Sequence, residues 1–214
     1  MAAVTTLLVA AAILFIGCGG GDGEGGNTPP PPEPRPPGTA TPGTESPPPE
    51  ATTPSPGSGA LPTVDPNVSL AEFRSPDKGY SFRHPEGWEV DASPGAGTDL
   101  FTWMVDGRRL ALLQVTCNRE IRSADSLMMV DADFASSFGG SLDPSAAVPV
   151  EVGGAEGIQN RYSISIGGGR IEHVVAYVSA GDCGWRIGLN SYGSGTLEPY
   201  LPLFQRILDT FHFD

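Results

Sequence analysis

Three cysteines offer the most distinctive chemistry in this chain of 214 residues. A thiol can be acylated or oxidised to a disulfide, and its surroundings select between these outcomes. Cys18 stands alone at the end of an apolar run, whereas Cys117 and Cys183 lie in segments that alternate like β-strands. We therefore expect Cys18 to be used separately from the other two.

The apolar run before Cys18 predicts an export signal. Residues 4–16 (VTTLLVAAAILFI) carry no charge. A helix that crosses a bilayer needs about 20 apolar residues. The run is shorter than that, and its length is typical of a signal-peptide core.

The residues around Cys18 resemble the lipobox of bacterial lipoproteins. Phe15-Ile16-Gly17-Cys18 is followed by the flexible run GGGDGEGG. The resemblance implies cleavage before Cys18, a signal peptide over residues 1–17, and acylation of the Cys18 thiol. Two acyl chains would anchor the protein stably at the extracytoplasmic face of a membrane, in the periplasm or at the cell surface. An uncleaved short anchor and an ordinary secreted protein are the alternatives.

Residues 18–66 have the composition of a disordered tether. Of the 22 prolines in the chain, 15 lie between Pro29 and Pro66. Such a segment buries too little apolar surface to offset the entropy of ordering. Residues 67–214 are left as one globular domain.

Charge excludes one class of partner. The chain has a formal net charge of −13. Sequence-independent binding to nucleic acid or to anionic lipid needs a cationic surface. We therefore expect no nucleic-acid partner.

Alternating and helical patterns predict the elements of the globular domain. Tyr80 to Val90 suggests a β-hairpin that turns at His84-Pro85-Glu86-Gly87, and Asp106-Gly107 suggests a second hairpin between residues 100–106 and 110–117. Further strands are predicted over 161–166, 171–178 and 183–190. Ser123 is expected to cap a helix whose buried face carries Leu127, Val130, Phe134 and Phe138, and Gly139-Gly140 should end it. A last helix carries Leu203, Phe204, Ile207, Leu208 and Phe211.

These elements predict an α+β domain, in which a mainly antiparallel sheet is covered by helices on both faces. Short hairpins imply antiparallel pairing, and strands that are apolar on both faces imply two covered faces.

The first predicted strand and its turn resemble a known family. Residues 79–88 (GYSFRHPEGW) are similar to the opening signature of PsbP-like domains, and residues 204–213 (FQRILDTFHF) resemble that family's final helix and terminus. The resemblance implies an antiparallel sheet between helices. It carries no catalytic residue onto this chain, since the family has no shared catalytic motif.

No catalytic signature is present in the sequence. His84, His173 and His212 are far apart along the chain, and we interpret each as structural. Asp131 and Asp133 are expected on the solvated side of the first helix, and Trp88, Trp103 and Trp185 in the core or at its rim. We expect no cofactor, no metal site and no catalytic residue.

These observations favour a monomeric, lipid-anchored module that binds or scaffolds an unknown protein of the cell envelope. A carrier of small molecules or lipids, which would need a large apolar cavity, is the alternative. An enzyme, which would need converging titratable groups in a cleft, is a further one.

A disulfide between Cys117 and Cys183 is the last expectation. If acylation uses Cys18, an even pair remains in a compartment where disulfides persist. Neighbouring strands lie close enough for such a bridge. The alternative is two buried free thiols, because the sequence does not show whether the two strands adjoin.

Overall fold

The computed structural model describes residues 64–93, 97–193 and 197–214. Ten strands and two α-helices lie within these residues, with short 3₁₀ turns at Pro144–Ala146 and Glu198–Tyr200. The elements in chain order are β1 (Leu70–Arg74), β2 (Tyr80–Pro85), β3 (Glu89–Asp91), β4 (Thr98–Val105), β5 (Arg108–Asn118), α1 (Ala124–Ser137), β6 (Val148–Val152), β7 (Ala155–Ile166), β8 (Gly169–Ala180), β9 (Cys183–Tyr192), α2 (Leu201–Leu208) and β10 (His212–Phe213).

The strands form two antiparallel sheets. The larger has seven strands in the order β3-β4-β5-β9-β8-β7-β6, and the smaller has the order β1-β2-β10. Every pair of neighbours is antiparallel. The strands β1, β6 and β10 were not predicted from the sequence.

The hairpin at Asp106-Gly107 is confirmed. Both turn residues have positive φ, 50° at Asp106 and 72° at Gly107. This is the backbone that a two-residue hairpin turn requires, and Asp-Gly adopts it readily. The turn joins β4 to β5 and fixes their register, with Val105 opposite Arg108.

The first predicted hairpin is wrong. β2 pairs with β1 and β10 in the small sheet, whereas β3 pairs with β4 at the edge of the large one. The turn after Pro85 therefore carries the chain from one sheet to the other. Alternation predicted both strands correctly, but it contains no information about which strand each would pair with.

Helix α1 begins and ends where its caps predict. The Ser123 side chain accepts a hydrogen bond from the Ser126 N–H at 3.2 Å. At the other end Gly139 has a φ of 66°, and the Gly140 N–H bonds back to the Ala135 carbonyl at 2.9 Å. This left-handed ending is the one that glycine favours after a helix.

The buried face of α1 differs from the predicted one. Leu127 is buried as expected, but Val130 is 45% exposed, and Phe134 and Phe138 are only half-buried. The buried positions are Leu127, Met128, Asp131 and Ala135. The helix is therefore turned so that Asp131, which was expected in solvent, faces the sheet, while Asp133 is exposed.

The two helices cover opposite faces of the large sheet. Leu203, Phe204, Ile207 and Leu208 of α2 share a core with Val174, Ala176 and Val178 of β8, and the small sheet adds Tyr80 and Phe82. Leu127 and Met128 of α1 pack with Val175 and Tyr177, the alternate residues of β8. The predicted architecture of a mainly antiparallel sheet with helices on both faces is thus confirmed for the described residues.

The packed chain begins slightly before residue 67. Val64 is 7% exposed and lies in the α2-side core. The carbonyls of Pro66 and Val68 accept hydrogen bonds from the Arg206 guanidinium. Residues 64–66 therefore belong to the folded domain.

Candidate functional site

Of the cysteines singled out from the sequence, Cys18 lies outside the described residues, as do the rest of the expected signal peptide and the tether up to residue 63. Cys117 and Cys183 lie on β5 and β9, which are neighbours in the large sheet. They form a disulfide in the structure, with their Cα atoms 5.4 Å apart. Cys117 stands opposite Trp185, so the bridge runs diagonally between the strands.

A buried polar network fills the space between α1 and the large sheet. The single Nε–H of Arg186 donates a bifurcated hydrogen bond to both carboxylate oxygens of Asp131 in α1, at 2.8 and 3.0 Å. The Tyr177 hydroxyl donates to the same carboxylate at 2.7 Å, and the Tyr162 hydroxyl at 3.3 Å. The Arg186 Nη2 also donates to the Tyr162 oxygen at 3.0 Å. The charges of this network are compensated within the protein.

The electrostatics of the network hold it in one protonation state. Burial favours loss of the Arg186 proton, but the charge and hydrogen bonds of Asp131 together with the two tyrosines outweigh it and raise the pKa of Arg186. Burial and then the Asp131 charge raise the pKa of Tyr177. Burial raises the pKa of Tyr162 to about 12. At neutral pH Arg186 is therefore charged and both phenols are protonated, which suits a structural network.

His173 borders this network without joining it. Its ring stacks on the Tyr162 ring, with the centroids 4.4 Å apart and the planes 4° from parallel. Neither ring nitrogen of His173 has a hydrogen-bond partner among the described residues, and Asn190, directly opposite on β9, has an unpartnered Oδ1. Burial, and then the charge of Arg186, lowers the pKa of His173 to about 4. The imidazole is therefore neutral at pH 7.

A second network surrounds Asp99, which is completely buried. Its carboxylate accepts hydrogen bonds from Tyr80 Oη at 2.6 Å, Lys78 Nζ at 2.9 Å and Ser75 Oγ at 3.0 Å. Sequence reasoning missed this site. The available signal was alternation: Asp99 stands two residues before Phe101, and so it faces the core with it.

The predicted histidines and tryptophans are not brought together into one site. His84 is buried in β2 among the rings of Phe73, Phe82 and Phe101, and His212 is exposed on β10. Trp88 and Trp185 are core residues. The residues that do converge, around Asp131 and Asp99, are ones that the sequence analysis left in solvent or did not mention.

An open cleft lies at the β6 edge of the large sheet. It has a volume of about 660 Å³. Val150 of β6 lies on one side, and Leu208, Asp209 and Phe211 line the other. The neighbouring Val148 is 52% exposed. Leu208 and Phe211 are themselves buried, so the exposed apolar side chain at this edge is Val148.

Comparison with known proteins identifies the fold. No protein-family model matches the chain, and no curated protein matches its sequence. The solved structure of the cyanobacterial PsbP protein CyanoP from Synechocystis has a TM-score of 0.52 and 16% identity, over 73% of this chain and 98% of its own. The Ran-binding protein Mog1p of Saccharomyces cerevisiae has a TM-score of 0.50 and 10% identity, over 68% of this chain and 96% of its own.

The fold is PsbP-like. LpqN of Mycobacterium tuberculosis, which is involved in cell envelope biogenesis, covers 68% of the chain and matches over 91% of its own length. Its TM-score is 0.40 and its identity 12%, a likeness too distant to support an inference. At such identities these neighbours show the architecture of the described part of the chain, and they assign no functional residue.

Proposed function

We propose that this protein is a lipid-anchored module of the cell envelope that acts by binding another protein, without catalysis. Acylated Cys18 would hold it at the membrane, residues 19–63 would serve as a tether, and the PsbP-like domain would carry the binding surface. Among the described residues, no helix is long and apolar enough to span a membrane.

The open cleft at the β6 edge is the observation that carries this proposal. It is open to solvent at the edge of a sheet, and the exposed apolar side chain of Val148 lies beside it. The strongly perturbed groups Arg186, Tyr177 and His173 lie elsewhere, beneath α1, where their environment is closed. The solvent-accessible cleft and the groups with perturbed pKa values therefore lie in different places, which favours a binding function over a catalytic one.

The neighbours support a binding role. Mog1p, which shares the fold, is a Ran-binding protein, so a domain of this architecture can present a protein-binding surface. A carrier would instead need an enclosed apolar cavity, whereas the cleft is open and has the acidic Asp209 in its wall.

Affinity capture tests the proposal. The full chain is cross-linked in place in the cell envelope. It is then isolated after detergent solubilisation, and its partners are identified by mass spectrometry. We expect one envelope protein to be enriched, and His173→Phe, which alters a buried residue, to leave that enrichment unchanged. Loss of capture by a correctly folded His173→Phe variant, or turnover of a small substrate by the purified chain, would contradict a non-catalytic binding role.

A further inference from the structure

We propose that the open edge of β6 binds an extended segment of the partner protein in which a basic residue stands between two apolar ones. This inference rests on the proposed binding function and names the chemistry of its partner. Three features of the edge carry it: the outward backbone groups, the apolar cleft and a pair of uncompensated carboxylates.

The backbone of β6 offers hydrogen-bonding groups that the sheet does not use. β6 is the last strand of the large sheet, and a two-residue turn at Gly153-Gly154 pairs Val152 with Ala155. In such a hairpin the flanking residues form a hydrogen-bonded pair, and the pairs then alternate along the ladder. Val148, Val150 and Val152 therefore bond to β7, while the backbone groups of Pro149 and Glu151 point outward. No described residue bonds to these outward groups.

The two faces of β6 differ in chemistry. Val150 and Val152 pack against the α2-side core, and the cleft on that side is lined by Leu208 and Phe211. Val148 shares this face because side chains alternate along a strand. Leu208, Phe211 and Val152 are buried, so an added strand would find apolar contacts on one face only, at the exposed Val148 and the half-buried Val150.

The other face presents two carboxylates. Glu151 stands directly opposite Glu156 on β7. Their position is a non-hydrogen-bonded one, where side chains approach most closely, and like charges placed there repel. Neither is paired with a described basic side chain, whereas Asp99 and Asp131 each have a cationic partner. A cation placed beside Glu151 would offset this repulsion.

The geometry of a strand added beside β6 predicts the sequence pattern of the partner segment. In a strand added next to β6, the residue paired with Glu151 points to the same face as Glu151. A lysine or arginine at that position meets Glu151, with Glu156 one strand farther away, and its two neighbours point to the opposite face, toward the cleft. The pattern is thus apolar–basic–apolar, which also complements a domain with excess acidic charge.

Pro149 limits the length of the pairing. It lies at an outward position and has no N–H, so it offers a carbonyl and no donor. A proline on an edge strand discourages pairing along the whole edge. The partner would form a complete hydrogen-bonded pair at Glu151 and a single bond at Pro149, which suits a short and reversible contact.

The test uses a defined probe, the blocked pentapeptide TVRVT, titrated into the full chain with Cys18→Ser while backbone amide resonances are followed. We expect the Glu151 amide to shift most. The charge-reversed peptide TVEVT, and TVRVT methylated on the arginine backbone nitrogen, should bind weakly or not at all. Variants of the protein test the same site. Glu151→Lys should weaken TVRVT binding roughly fivefold or more. Glu72→Lys, the same change on the exposed face of β1, should leave binding unaltered. Pro149→Ala restores one outward donor and should tighten binding roughly two- to tenfold.

The outcomes separate this inference from the proposed function. If TVRVT leaves the Glu151 amide unshifted, or if Glu72→Lys weakens binding as much as Glu151→Lys, the edge inference is wrong. Capture of an envelope protein that survives Glu151→Lys would uphold the binding function and overturn the β6 edge as its site. Peptide binding at Glu151 without any captured partner would uphold the edge and leave the proposed function contradicted.

Discussion

Asp131 lies on the buried face of α1, where a carboxylate is costly unless its charge is compensated. Arg186 and Tyr177 supply that compensation, in a setting where both members of the ion pair are largely shielded from water. A buried pair gains little over a well-packed apolar pair, but removing one member leaves the other uncompensated. Removing either member alone should therefore destabilise the packing of α1 on the sheet.

Replacing Asp131 with alanine should lower the free energy of unfolding by about 3 kcal/mol, because Arg186 is left buried without its counter-charge. Asp133→Ala, which removes an exposed acid from the same helix, should change it by no more than about 0.5 kcal/mol. The double variant Asp131→Ala/Arg186→Met should recover much of the loss. Urea denaturation of the three variants measures these differences. Equal losses in Asp131→Ala and Asp133→Ala would show that the buried pair is unimportant.

The lowered pKa of His173 predicts that the stability of the domain depends on pH. Its pKa is lowered from 6.5 to about 4 by burial and by Arg186. Between these values the unfolded chain binds a proton that the folded chain does not, so stability falls as the pH is lowered from 6.5 toward 4. The loss from this group reaches about 3 kcal/mol near pH 4 and grows no further below it.

The control for His173 is His173→Phe, which keeps an aromatic ring against Tyr162 but cannot be protonated. The difference in unfolding free energy between the natural chain and this variant isolates His173 from the carboxylates, which also titrate in this range. A difference that stays constant from pH 7 to pH 4 would mean that His173 keeps its ordinary pKa.

At the scale of elements, the sequence correctly predicted the features that depend on a few adjacent residues. The Asp106-Gly107 turn and the Ser123 cap depend on a few adjacent residues, so the sequence contains their full cause. The pairing of β2 with β1 and β10 joins residues far apart in the chain, and no local pattern encodes it. The first hairpin was wrong for this reason, although both of its strands were found.

The rotation of α1 shows a second limit. Apolar spacing predicted a buried face through Leu127, Val130, Phe134 and Phe138. The observed face carries Leu127, Met128, Asp131 and Ala135, and it places Asp131 against Arg186. Because Arg186 is 55 residues away in the sequence, the candidate network could not be predicted from helical periodicity.

The bridge between β5 and β9 is tested chemically. With Cys18→Ser in place, every thiol that reacts belongs to Cys117 or Cys183. Unfolding without reductant should expose no alkylatable thiol, and unfolding with reductant should expose both. Because the cysteines are 66 residues apart, the chain-entropy model gives about 4 kcal/mol for the loss caused by replacing both with alanine. Two alkylated thiols without reductant would show that the cysteines are free.

At the scale of the whole molecule, the length of the expected tether affects how a weak contact would work. Proline-rich chain extends by about 3.1 Å per residue, so a tether of this length could hold the domain on the order of 100 Å from its anchor when extended. A short, reversible contact at the β6 edge would gain from such tethering, because confinement at a membrane raises the effective concentration of the domain near its partners. The weak edge and the long tether are thus complementary parts of one proposal.

The anchor itself is tested by Cys18→Ser. Acylation and cleavage both depend on the Cys18 thiol in the lipoprotein pathway that the sequence resembles, so the variant should either appear in the soluble fraction or keep its unprocessed size. Two acyl chains bind a bilayer stably, whereas one gives only marginal binding. The natural chain should therefore remain with the membrane through a high-salt wash and be released by detergent.

Fractionation and intact-mass measurement follow both forms, and Ser58→Ala in the expected tether serves as a control that should leave anchoring unchanged. Loss of anchoring in Cys18→Ser alone would assign the membrane attachment to one thiol. Retention of Cys18→Ser in the membrane at the mature size would mean that something other than acylation holds the protein there. In that case the domain would be an envelope module attached by protein contact, and the β6 edge would be the first surface to test for that attachment.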